Sequence, residues 1–116
     1  SYRAIALSDR AIEIYKEHAK GKKQKDFLFT DKDGCPYSVQ HANNCLNSFR
    51  KKCNFGKIIT THTFRHTHVS KLAELGVPLY VIQHNVGHSN SKITRDVYLH
   101  VTKKAQQELR NKLNKM

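Results

Sequence analysis

Glycine and proline cut the second half of this chain into helix-sized pieces. Gly76-Val77-Pro78 and Gly87 are the breaks. Glycine permits the left-handed turn that ends a helix, and proline suits the first turn of the next. The spacing between them predicts a helix starting near Thr61 to Thr63 and ending at Gly76. A second carries Leu79, Ile82 and Val86 and ends at Gly87. A third is capped by Ser89 or Ser91, with Ile93, Val97 and Val101 as its core stripe. Ala105, Leu109, Leu113 and Met116 continue at helical spacing among charges.

The first half reads differently. Arg3, Ile5 and Leu7 alternate with Tyr2, Ala4 and Ala6, which predicts a short strand, although the alanines make a weak opposite face. Ser8 or Asp9 caps a helix with Ile12, Tyr15 and Ala19 on one face, and Gly21 stops it. Lys20 to Lys25 is a loop. The apolar Phe27 to Phe29 is followed by the turn Asp31-Lys32-Asp33-Gly34. Ser38 caps a second helix to about Lys52, with Val39, Ala42, Leu46 and Phe49 inward, and Asn54 to Thr61 is a loop. The fold class is mainly α with a small β element (α+β). A length of 116 residues with 38% hydrophobic content supports one compact domain, residues 1–116. The start at Ser1, without methionine and on an apparent strand, suggests a piece of a longer protein.

Charge narrows the partners. Lysine and arginine total 21 against 9 acidic residues, a formal net charge of +12. Such an excess favours a polyanion: DNA, RNA or an anionic membrane surface. No apolar run approaches the roughly 20 residues that a membrane-spanning helix needs. Cys35, Cys45 and Cys53 are an odd number without CxxC spacing, and read as reduced thiols of a cytosolic protein.

Three places can carry chemistry. In His62-Thr63-Phe64-Arg65-His66, His62 and Arg65 stand three apart, at neighbouring positions on one helical face. They fall at a predicted helix N-terminus, where unpaired N–H groups and the dipole favour an anion. A phosphate could be gripped there by Arg65 while His62 reaches an oxygen; taken alone, a solvated basic helix start is the commoner arrangement. At Gly87-His88 the glycine turn sends His88 off the core face. Tyr98 is one residue past Val97 of the core stripe, about 100° further round the helix. It lies at the stripe's edge, where an ordinary core aromatic is also at home.

Their order changes the weighing. The stretch from His62 to His100 resembles the C-terminal signature of the tyrosine recombinase (phage integrase) family: H-x-x-R, a helix ending in glycine, a G-H pair commonly preceded by leucine, and a tyrosine about ten residues later. Here these stand as His62-Thr63-Phe64-Arg65, the helix to Leu75-Gly76, Val86-Gly87-His88 and Val97-Tyr98. Val86 replaces the common leucine. The Arg3-Ile5-Leu7 stretch, Phe27-Leu28-Phe29 and the turn at Gly34 also look like the family's middle section, so the resemblance covers nearly the whole chain.

That resemblance implies a site-specific recombinase of double-stranded DNA, working without metal, cofactor or nucleotide in the bacterial or phage-infected cytoplasm. Tyr98 would be the nucleophile, forming a 3′-phosphotyrosyl link. Arg65 would clamp the phosphate, His62 would accept the tyrosine's proton, and His88 would donate a hydrogen bond to the phosphate. The family's first arginine and its hairpin lysine would lie upstream of Ser1: Arg3 has the wrong context for the one, and Lys57 for the other. The isolated chain is therefore expected to cleave poorly. Lys20, Lys22, Lys23, Lys25, Lys51, Lys52 and Lys57 are candidates for the DNA backbone, alongside plain solvated surface. The full-length protein would self-associate on DNA as a tetramer, and residues 101–116 would dock either on a neighbouring protomer or in cis. Three alternatives stand beside this reading. They are a non-catalytic DNA-binding module of the same fold, a type IB topoisomerase, and a zinc site using the i,i+4 pairs His62/His66 or His84/His88.

Overall fold

A computed structural model describes residues 3–87 and 91–116. The architecture is mainly helical. Among the described residues five helices follow in order: α1 (Asp9–Ala19), α2 (Val39–Lys52), α3 (Thr61–Glu74), α4 (Leu79–Val86) and α5 (Ser91–Asn114). The chain divides into two compact units. One holds Ala6–Thr61; the other joins the chain start through Ile5 to His62–Met116.

The small β element shrinks to a single antiparallel bridge between Thr30 and Pro36 among the described residues. The strand expected at Arg3–Leu7 does not form. A strand needs a neighbour to take its backbone hydrogen bonds. Instead Arg3 Nη2 donates to the Asn85 carbonyl at 3.4 Å, and His84 Nε2 donates to the Ala4 carbonyl at 2.9 Å. Side chains and a helix end thus take the place of a ladder.

In the Ala6–Thr61 unit, serine caps start both helices. Ser8 Oγ accepts from the Ala11 amide and Ser38 Oγ from the His41 amide, at 3.2 and 3.0 Å. The expected inward faces form only in part. Ala19 of α1 and Ala42 and Leu46 of α2 are half-buried as expected, whereas Ile12, Tyr15, Val39 and Phe49 are exposed, and α1 half-buries Ala11 and Ile14 instead. Each of these helices offers apolar residues around more than one face, so periodicity alone does not choose between them. Between the helices, Lys22 Nζ donates to the carbonyls of Phe27 and Leu28 and to Thr30 Oγ1, at 2.7, 2.8 and 3.2 Å. Asp31 Oδ1 accepts from the amides of Asp33 and Cys35 and so closes the expected turn. The three cysteines are exposed and unbridged.

α2 and α3 end in the same way. Asn54 (φ 52°) and Gly76 (φ 83°) take the left-handed conformation. The following amides reach back five residues, Phe55 to Arg50 and Val77 to Leu72, at 2.9 and 3.0 Å. This is a Schellman ending, and it satisfies carbonyls that the last helical turn leaves open. Leu72 and Val77 also flank the core of the second unit. Pro78 stands as the N-cap of α4, one position before the helix proper.

The core of that unit is small. Val69 and Ala73 of α3 meet Ile82 and Val86 of α4, with Leu72, Val77, Val97, Tyr98 and Val101 packed around them. Ile82 is 0% exposed. On α5 the buried stripe is rotated from the expected one. Ile93 is exposed, and Thr94 is buried in its place. The stripe therefore runs Thr94, Val97, Tyr98, Val101, with Tyr98 four residues after Thr94 on the same face. The helical spacing expected beyond Val101 is that of the second half of the 24-residue α5.

Candidate active site

Arg65 lies in the second turn of α3, one turn before the core residue Val69. That places its half-buried side chain beside the end of α4. Its Nη1 donates to the Val86 carbonyl at 2.6 Å. Val86 is the last residue of α4, and its side chain belongs to the core. The guanidinium is thus anchored to the residue that precedes Gly87. One of its five N–H donors makes this anchor.

Gly87 is buried, with φ 94° and ψ 148°. This region of backbone space is essentially reserved for glycine. The amide of Gly87 closes back on the Gln83 carbonyl at 2.9 Å. His88, the next residue, lies outside the described residues, as does the candidate cap Ser89.

Tyr98 is half-buried and packs against the same cluster that contains Val86. Its hydroxyl has no hydrogen-bond partner among the described residues. His62 is exposed near the start of α3 and is likewise without a hydrogen bond among them. α3 therefore presents His62 and Arg65 from its first two turns. α4 ends at Gly87 beneath Arg65, and α5 brings Tyr98 to the core that all three helices share.

Sequence reasoning missed a set of contacts at the α4 end. His68 Nε2 pairs with Asn85 Oδ1 at 2.8 Å, while Arg3 takes the Asn85 carbonyl. Arg3 is far away in sequence, and its partner there is a main-chain oxygen, which no side-chain motif records. Among the described residues no group of three or more His, Cys, Asp or Glu side chains is placed to hold a metal ion. His84, half of one suggested zinc pair, faces the Ala4 carbonyl. Lys22, one of the proposed DNA-contacting lysines, is half-buried with its ammonium on three oxygens, whereas Lys20, Lys23, Lys25, Lys51, Lys52 and Lys57 are exposed. No helix among the described residues is long and apolar enough to cross a membrane.

The phage integrase family pattern matches residues 1–105. The integrase of Staphylococcus phage L54a is 37% identical over 126 aligned positions, covering 100% of this chain and 36% of that protein. The prophage ps2 probable integrase of Lactococcus lactis is 34% identical, covering 99% of this chain and 34% of its own length. Tyrosine recombinase XerD of Halalkalibacterium halodurans is 34% identical over 84% of this chain and 33% of that protein. The chain spans about a third of the length of these curated relatives. With the family pattern covering nine-tenths of the sequence and every site-bearing helix, the chain belongs to the phage integrase family of tyrosine recombinases.

Proposed function

We propose that this chain is the C-terminal part of the catalytic domain of a site-specific DNA recombinase, with Tyr98 as its nucleophile. The observation that carries the reading is that Arg65 is anchored to Val86 O while Tyr98 packs on the core cluster to which Val86 belongs. The cation is permanent, and the tyrosine's hydroxyl is not committed to another partner among the described residues.

In the proposed reaction the Tyr98 oxygen attacks the scissile phosphorus. A 3′-phosphotyrosyl bond forms, the bond to the 5′-oxygen breaks, and that oxygen leaves as a hydroxyl on taking a proton from the family's lysine in the rest of the full-length protein. The 5′-hydroxyl of another strand then reverses the step and releases the tyrosine. A free tyrosine has a pKa of about 10 and is protonated at neutral pH, so its proton must be accepted. His62 is assigned that role. The phosphorane carries more negative charge than the diester, so Arg65 stabilises it more than the ground state. His88 is assigned a hydrogen bond to the phosphate. The family's first arginine and its lysine are assigned to the rest of the full-length protein, so the 116-residue chain alone cleaves poorly. The exposed lysines and the net charge of +12 suit the backbone of double-stranded DNA. The full-length protein acts in the bacterial cytoplasm as a tetramer on DNA, and the end of α5 docks either on a neighbouring protomer or in cis.

The test uses the full-length protein and a nicked suicide DNA substrate bearing its recombination site. An SDS-resistant protein–DNA adduct that disappears in Tyr98→Phe is the expected result. Tight binding without an adduct in either protein would replace the reading with a binding-only relative of the same fold.

A further inference from the structure

The last turn of α4 is held from two sides. Arg65 of α3 takes the carbonyl of Val86. Arg3, from the start of the chain, takes the carbonyl of Asn85 just before it. Two guanidiniums on consecutive carbonyls complement the negative end of the helix dipole and fill acceptor sites that a helix C-terminus leaves open. His68 fixes the Asn85 side chain as well.

Arg3 does more than cap. A Cβ built on Gly87 would meet Arg3 Nη2, Cζ and Nη1 at 3.2, 3.3 and 3.4 Å. Three atoms of one planar group at nearly equal distance mean that the guanidinium lies across the glycine. The absence of a side chain at Gly87 therefore serves two purposes: the positive φ and the close approach of Arg3. Val86 behind the turn is buried in the core, and Gly87 is buried too. Gly87, the residue before His88 in the sequence, therefore lies against Arg3, and Arg65 holds the carbonyl of Val86 just before it.

We propose that Arg3 is a positioning residue for DNA strand cleavage, acting through the Gly87 turn on His88; this rests on the recombinase reading above. It does not replace the family's first arginine, since its contacts are to main-chain oxygen and to the turn. A lysine cannot take its place, because an ammonium has neither the planar face nor the forked donors.

The experiment measures single-turnover adduct formation by the full-length protein on the suicide substrate at saturating DNA. Wild type, Arg3→Ala, Arg3→Lys, His88→Ala and the Arg3→Ala/His88→Ala double variant are compared, with Tyr98→Phe as control. Arg3→Ala is expected to slow adduct formation on the order of 10- to 100-fold, the scale of a small misplacement of a reacting group. The DNA dissociation constant stays at the wild-type value, and Arg3→Lys does not restore the rate. In the His88→Ala background, removing Arg3 costs little more, because the two act as one unit. If Arg3→Ala lowers the melting temperature, Arg3→Lys with native melting carries the same test. A wild-type rate in Arg3→Ala, full rescue by lysine, or independent, multiplying losses in the double variant would overturn the proposal and leave the recombinase reading intact. No Tyr98-dependent adduct from the wild-type protein would overturn both.

Discussion

Replacing Gly87 by alanine should damage this protein through its backbone first. At φ 94° and ψ 148° Gly87 occupies a region that residues with a Cβ enter only at a cost of about 1–3 kcal/mol. The new methyl would also stand 3.2 Å from the Arg3 guanidinium. That group ends a flexible side chain, so it moves aside, and the steric part adds little energy. Gly76 is the internal comparison. Its φ of 83° is also positive, but nothing lies within 4 Å of its virtual Cβ. Gly76→Ala should cost about 1–2 kcal/mol from conformation alone, with no effect on Arg3. Amide hydrogen exchange of the full-length protein reads these costs locally. A cost of 1–3 kcal/mol corresponds to exchange in α4 and the start of α5 faster by about 5- to 150-fold, at tenfold per 1.4 kcal/mol. Removing Arg3 as well should leave most of the Gly87→Ala penalty in place. Wild-type protection in Gly87→Ala, or loss of its penalty when Arg3 is also removed, would refute the backbone argument.

Three further outcomes follow from the same geometry. Ile82→Ala empties the centre of a core with few buried side chains and should lower stability by about 2–5 kcal/mol in denaturant unfolding; a loss below 1 kcal/mol would mean the site collapses freely. Arg65→Lys keeps the charge but loses the fork that holds Val86 and, in the proposed reaction, would hold a phosphate as well, so adduct formation should fall by about 10²–10³-fold with DNA binding largely kept. Lys22→Met should loosen the loop that its ammonium gathers, by roughly 1–3 kcal/mol in local hydrogen exchange. It should leave the salt dependence of DNA binding unchanged, whereas a phosphate-contacting lysine lowers that slope by about 1.

What the sequence revealed depended on how local the signal was. The breaks at Gly76 and Gly87, and the Ser8 and Ser38 caps, are set within a few residues, and they appear where they were expected. The strand at Arg3 failed because pairing is a property of two segments, and alternation in one cannot supply the other. The stripe on α5 was misjudged for a related reason. Ile93 looks like a core residue and Thr94 does not, yet it is Thr94 that faces Val97 and Val101 around the helix. Hydrophobicity alone chose the wrong member of an adjacent pair. The motif order from His62 to Tyr98 identified the family, but the clamp on α4 was invisible. It is made by Arg3 and Arg65 on main-chain carbonyls, and carbonyls carry no residue identity.

The stripe also places Tyr98. With Thr94 2% exposed one turn earlier, Tyr98 is half-buried at the rim of the packed face of α5. A half-buried ring gives the hydroxyl a defined place, because the core restricts the side-chain rotamer. Arg65 takes its place from the same source: its anchor is the carbonyl of Val86, whose side chain is part of that core. The proposed nucleophile and the proposed clamp are therefore both referenced to one small cluster, Val69, Ala73, Ile82 and Val86. Packing and chemistry cannot be varied independently in such an arrangement. A cavity at Ile82 that lets α4 shift would carry the Val86 carbonyl, and with it the guanidinium, away from a tyrosine held by α5. The order of loss should accordingly be cleavage before folding, since reacting atoms tolerate displacements well below those that unfold a helix.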